Sequence, residues 1–167
     1  MTSSSSAAAV AAPTIAHAIQ LTAEQHPDAL AIRTLDDSIH WTWGELRDRA
    51  VRIAGGLAEL GLARGDRLGM LLSSRPEFHL CDIATTLTGA TPFSIYLTAS
   101  PEQIEFAVAD ADAHILITEQ AFLPQVLAAR ANLPKLEHVI VIDGVAQDGT
   151  ISLADVDADF DVDASLD

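Results

Sequence analysis

The sequence predicts an α/β fold, with a largely parallel sheet, helices on both faces and an N-terminal β-hairpin. Three observations lead there. Beyond Asp66, short continuous apolar runs alternate with segments of helical periodicity, the pattern expected of strands buried on both sides. Several of the helical segments open on recognisable caps. Ahead of them lie two β-rich runs separated by a polar break of hairpin length.

Taking the elements in order, Thr14 caps a helix that presents Ile15, Ala18, Ile19 and Thr22 on one face and ends before Pro27, because the residue preceding a proline leaves the helical region. Ala29–Thr34 and Ser38–Trp43 then read as antiparallel strands around Leu35-Asp36-Asp37. On the second of these strands Trp41 and Trp43 would share a face. Thr42-Trp-Gly-Glu45 is a capping box, and Leu46, Ala50, Ile53, Ala54, Leu57 and Leu60 follow it in steps of three and four, which predicts a helix stopped by Gly61. Gly55-Gly56 inside that helix costs on the order of 1 kcal/mol per glycine relative to alanine, a cost consistent with close packing on a sheet.

Arg67–Leu72 is the first buried strand, and Pro76 opens a helix carrying Phe78, Ile83, Ala84 and Leu87. Thr91–Tyr96 is extended. Ser100-Pro-Glu-Gln103 opens the next helix, with Ile104, Ala107, Val108 and Ala111 on one face. His114–Thr118, a helix near Gln120 to Arg130, and His138–Ile142 complete the alternation. Residues 14–143 are therefore expected to form the α/β unit, residues 1–13 a disordered tail, and residues 144–167 an acidic loop or frayed terminus.

The chain has 167 residues, 49% of them hydrophobic, enough for one sizeable core. Its formal net charge of -15 opposes nucleic acid and anionic membranes, since approach would add like-charge repulsion. Cys81 is the only cysteine, so no intrachain disulfide can form. The first residues lack the basic and apolar regions of a secretory signal, and no stretch approaches the roughly 20 apolar residues of a membrane span. A cytoplasmic setting with no transmembrane segment is the expectation.

No nucleotide-binding glycine fingerprint, phosphate loop with lysine, serine-nucleophile elbow or His-Glu-x-x-His zinc motif occurs. Asp155, Asp157, Asp159, Asp161 and Asp163 alternate like the early ligands of a calcium loop. Counted from Asp155, however, Phe160 stands where that loop needs glycine and Leu166 where it needs glutamate, so a solvated acidic tail is the simpler reading. His79, Cys81 and Asp82 lie close in sequence, but on a helix such neighbours point apart. No metal site is assigned.

Trp41-Thr-Trp-Gly-Glu-Leu46, Leu60-Gly-Leu-Ala-Arg-Gly-Asp-Arg-Leu68, Ser74-Arg-Pro-Glu-Phe78, Thr88-Gly-Ala-Thr-Pro-Phe-Ser-Ile-Tyr96, Ser100-Pro-Glu-Gln-Ile104 and His114-Ile-Leu-Ile-Thr118 resemble, in order and spacing, the start of an adenylate-forming enzyme. The resemblance spans roughly Ile15 to Asp143 and is nearest the long-chain fatty acyl-CoA synthetase branch. It implies an incomplete N-terminal subdomain of the adenylate-forming fold. The parent enzyme uses ATP and magnesium to turn a fatty acid into an acyl-adenylate, from which CoA displaces AMP.

That chemistry draws on a Ser/Thr/Gly-rich phosphate loop followed by lysine, a downstream Thr-Glu pair near magnesium and a lysine on a mobile domain. None of these is present, so no catalytic residue is assigned and no cofactor is expected on this chain alone. Lys135, the sole lysine, precedes a strand and follows no such loop. In some relatives the turn matching Leu97, Thr98 and Ala99 lies near the CoA nucleotide, which makes these three the CoA-adjacent candidates. Those relatives have glycines in the turn and arginines near the positions of Pro124 and Leu127. Two readings are carried forward: a scaffold segment of a fatty acid–CoA ligase, inactive alone, and a non-catalytic module that oligomerises through an exposed sheet surface. Strand–helix alternation by itself also fits a flavodoxin-like binding domain.

Overall fold

A computed structural model describes residues 9–147 and 149–166. Helix α1 (Ile15–Gln25) begins where Thr14 Oγ1 accepts from the His17 N–H at 3.2 Å. Strands β1 (Leu30–Arg33) and β2 (His40–Thr42) pair antiparallel. Their turn places Asp37 at φ 60°, where the Arg33–Asp37 ion pair closes the hairpin at 2.8 Å. The Thr42 capping box forms in both directions and starts α2 (Trp43–Glu59), with Thr42 N–H donating to Glu45 at 2.9 Å. Trp43 therefore belongs to a helix and does not alternate with Trp41 on a strand; the cap ends β2 one residue early. Both rings still pack on the core.

The main sheet has the order β4 (Thr91–Ser94), β3 (Arg67–Leu71), β5 (Ile115–Thr118), β6 (His138–Val141) and β7 (Ile151–Ser152), all parallel. Between them run α3 (Pro76–Leu87), α4 (Pro101–Asp110) and α5 (Leu123–Arg130). Pro124 sits in the first turn of α5, and a 3-10 turn over Gln120–Phe122 precedes it, so the expected single helix is divided.

Side-chain alternation assigns the faces. Met70, Ile117 and Ile140 are in register on one side, packed with α1, α2 and α3. Leu116 and Val139 face the other side with Leu71, beneath α4 and α5. From β3 the chain moves outward to β4 through α3, then crosses back to β5 through α4. Right-handed crossovers taken in opposite directions put their helices on opposite faces, which is how the sheet comes to be covered twice. Helices pack on both faces, α1, α2 and α3 on one and α4 and α5 on the other. The sheet is edged by β7 on one side and on the other by β4, where Pro92 removes a backbone donor.

One expectation about the termini changes, and most of the other lies outside the described residues. Of the N-terminal tail, residues 1–8 lie outside the described residues, while Ala12 N–H closes a turn on Ala9 O at 3.3 Å. The segment expected as an acidic loop or frayed end instead supplies β7, a 3-10 turn over Leu153–Asp155, a buried Val156 and α6 (Val162–Leu166). It crosses α2 at Gly55-Gly56. A Cβ on Gly55 would lie 2.2 Å from Ala158 O, and one on Gly56 would lie 2.6 Å from the Val156 carbonyl carbon. The glycine pair therefore admits a second backbone, not the sheet. Ala158 N–H donates to Arg52 O at 3.1 Å, and the Arg52 guanidinium pairs with Asp157 and Asp159.

Residues 155–163 alternate aspartate with apolar side chains, a strand-like period, yet no strand forms there, so the local pattern did not reveal the packing. Its apolar anchors, Val156, Phe160 and Val162, pack on the core shared with α2 and α3, contacts that the local alternation does not specify. Substituting Gly56→Leu should displace residues 156–159 and cost about 2 kcal/mol through overpacking. Amide exchange should report loss of protection at Ala158, and unchanged protection there would refute the contact.

Candidate functional site at the carboxyl end of the sheet

In an open α/β sheet the site where ligands bind is the crevice outside the strand carboxyl ends, where the chain reverses its direction across the sheet. Here that point lies between β3 and β5. Residues just beyond β3, β5 and β6 meet there around one guanidinium. Arg75 Nε donates to Glu77 at 2.9 Å, and its Nη1 reaches Asp143 at 2.8 Å and Glu119 at 3.3 Å. Glu119 also accepts from the Ser73 N–H, and Asp143 accepts from the Gln120 N–H at 2.7 Å. Glu119 is buried and Arg75 half-buried.

These bonds set the ionisation of the group. Arg75 is held protonated well above its ordinary value, first by its hydrogen bond to Glu77 and then, against the cost of burial, by Asp143 and Glu119. Burial opposes ionisation of Asp143, but the Gln120 N–H and Arg75 outweigh it and keep the carboxyl below 3.8. Three carboxylates around one arginine leave no uncompensated cation at the place where a nucleotide phosphate would need one. The arrangement ties three strand ends together and does not present a phosphate site.

Sequence analysis missed this cluster, although Glu119 and Asp143 each stand within two residues of the end of an apolar strand and Arg75 stands directly before the Pro76 helix start. Polar residues at strand carboxyl ends were the available clue. A cleft of about 270 Å³ lies beside the cluster, between the hairpin and α3, lined by Arg33, Leu35, Ser74, Arg75 and His79. Its two arginines are already paired with carboxylates.

The other candidates lie apart from this cluster. Leu97 and Thr98 form the exposed turn after β4, closed by Ala99 N–H on Tyr96 O at 2.9 Å. Pro124 and Leu127 lie on α5, and Arg130 at the far end of that helix donates to the carbonyls of Gly149 and Glu137. Lys135 is at the opposite, amino-terminal end of the sheet, where it pairs with Asp112 at 2.6 Å. Cys81 is fully buried and desolvation pushes its thiol up to about 12, which suits a core residue and not a nucleophile. His79 sits on the helix exterior, edge-on to Phe78, and does not converge with Cys81. No group of three or more His, Cys, Asp or Glu among the described residues could hold a metal ion. Two members of the aspartate series neutralise Arg52, and Asp161 accepts from the Ala164 N–H. No described helix is long and apolar enough to cross a membrane.

Arg75→Leu should destabilise the fold by about 3 kcal/mol, because it leaves Glu119 buried without its counter-charge. Arg33→Leu, which breaks an exposed pair, should cost less than about 1 kcal/mol, and denaturant midpoints distinguish the two. The depressed carboxyl of Asp143 makes a pH prediction. Its contribution to stability is fully present above the unfolded value near 4 and is lost as pH falls through the lower native value. The stability difference between the natural chain and Asp143→Asn should therefore shrink on acidification below about pH 4. A difference that stays constant down to the native value would contradict this.

Comparison with known proteins places this architecture. Residues 19–164 match the AMP-binding enzyme family. The uncharacterized protein Rv1549 of Mycobacterium tuberculosis is 36% identical over 131 residues, 78% of this chain and 73% of that one. The long-chain-fatty-acid–CoA ligase FadD15 of Mycobacterium bovis is 30% identical over 139 residues, covering 81% of this chain but 23% of the ligase. The crystal structure of the anthranilate CoA ligase AuaEII in complex with anthranoyl-AMP superposes with a TM-score of 0.78 at 28% identity, covering 83% of this chain and 26% of that enzyme. The chain thus spans about a quarter of each of these two ligases and most of the length of Rv1549. With the ordered motifs, the twice-covered parallel sheet and a family match over most of its residues, the chain belongs to the AMP-binding enzyme family.

Proposed function

We propose that this chain is the N-terminal scaffold segment of a long-chain fatty acid–CoA ligase and has no ligase activity by itself. The observation that carries the reading is the distribution of cations. Attack of a carboxylate on ATP needs positive charge and backbone donors around the phosphates. The only lysine is paired with Asp112 at the wrong end of the sheet, and the arginine at the right end is held by three carboxylates. What remains is a rigid sheet that can support a site completed by other residues.

In the whole enzyme, ATP and magnesium would convert a fatty acid to its acyl-adenylate, and CoA would then displace AMP. The exposed turn at Leu97, Thr98 and Ala99 would be the part of this chain nearest CoA. The 30% identity to a long-chain-fatty-acid ligase supports the choice of acid. The buried, unpaired cysteine is in keeping with a reducing cytoplasm. A second reading, a non-catalytic interaction module, is favoured by the large apolar side chains left exposed on the surface. Association would then use exposed apolar side chains such as Tyr96 and Phe106, since the sheet faces are covered.

The purified chain should show no fatty-acid-dependent exchange of pyrophosphate into ATP. A chimera in which this chain replaces the matching segment of a long-chain fatty acid–CoA ligase should retain that exchange. Exchange by the chain alone would overturn the claim of inactivity. A folded chimera that loses exchange would overturn the scaffold reading.

A further inference from the structure

We infer that the cleft between α2, α3 and the C-terminal segment binds a small organic monocarboxylate with a compact apolar body. The cleft measures about 350 Å³, within the roughly 300–1,000 Å³ typical of small-molecule sites. Ile53, Leu80, Ile142, Leu153 and Val156 make it predominantly apolar, and Arg49, Arg52 and Asp157 supply its charged groups.

The charges of these three groups differ in availability. Arg52 is already neutralised by Asp157 and Asp159. Arg49 has no carboxylate partner among the described residues, although the chain carries 24 acidic and 9 basic side chains. Its guanidinium instead lies 5.0 Å from the centroid of Trp41. Stacking of this kind positions the cation through its face and leaves its N–H groups free to donate. A carboxylate is the planar acceptor that matches them, and the apolar lining suits the body behind it. Asp157 and Asp159 together exceed the single charge of Arg52, and this excess negative charge selects a monoanion over a dianion or a phosphate.

One wall of the cleft belongs to the segment that crosses Gly55-Gly56, through Leu153, Ala154, Val156 and Asp157. A ligand seated there binds only when that segment is in place, so it must stabilise the segment. Every lining residue belongs to this chain and no nucleotide is involved, so the site stands or falls separately from the ligase reading.

The test uses the full chain with cyclohexanecarboxylate as probe and its uncharged carboxamide as control, followed by calorimetry and amide exchange. The expected result is saturable one-to-one binding without ATP, with added protection at Val156 and Ala158. Arg49→Gln and the carboxamide should each weaken binding by about tenfold or more, the loss expected for a charge-assisted hydrogen bond. Ala154→Phe should abolish it by filling the cleft, while Arg33→Gln should leave it unchanged. Absence of saturable binding to the natural chain, or equal affinity for the carboxamide, would overturn the site without reliance on any variant. Equal affinity in Arg49→Gln, an exposed position whose melting curve verifies folding, would do the same.

Discussion

Strands β3, β5 and β6 are apolar on both sides, and the rest of the molecule follows from the need to cover them. Their backbone groups are removed from water and must be paired along the sheet, while the side chains pointing to each face require a helical layer. Leu68, Met70, Ile115, Ile117 and Ile140 are all essentially inaccessible on one face, as are Leu71, Leu116, Val139 and Val141 on the other. No single layer of helices could bury both sets. The chain meets the requirement by winding outward from β3 in both directions, and this in turn creates the reversal point at the strand carboxyl ends.

What occupies that reversal point decides the functional reading. In a nucleotide-binding sheet it would offer donors and positive charge to phosphate. Here Glu119 and Asp143 converge on Arg75 and neutralise it, so the position joins strand ends and does not recruit an anion. The fold of the family is retained around that cluster.

The C-terminal segment is structural, although its alternating aspartates form no strand. Its aspartates look solvated in the sequence, yet Asp157 and Asp159 engage Arg52 while Val156 enters the core beside a glycine pair that leaves room for backbone. The same segment walls the cleft beneath Arg49. Packing and the candidate site there are therefore one feature of the fold, and an alteration in the glycine pair would disturb both.

The sequence by itself determined the local elements. The Thr42 and Ser100 capping boxes, the Pro76 helix start, the Gly61 stop and the continuous apolar strands are each specified by residues within a few positions of one another, which is why they could be read directly. It also determined the family, because those elements recur in a fixed order. Only the tertiary structure decided where Gly55-Gly56 faces, that residues 151–166 join the sheet and core, and which carboxylates hold Arg75. Apart from the local Arg75–Glu77 pair, those contacts join distant residues: Arg75 and Asp143 are 68 positions apart, and Gly55 and Ala158 are farther apart still. Local periodicity carries no record of such pairings, since they depend on the order of strands in the sheet and on the direction of the connections between them.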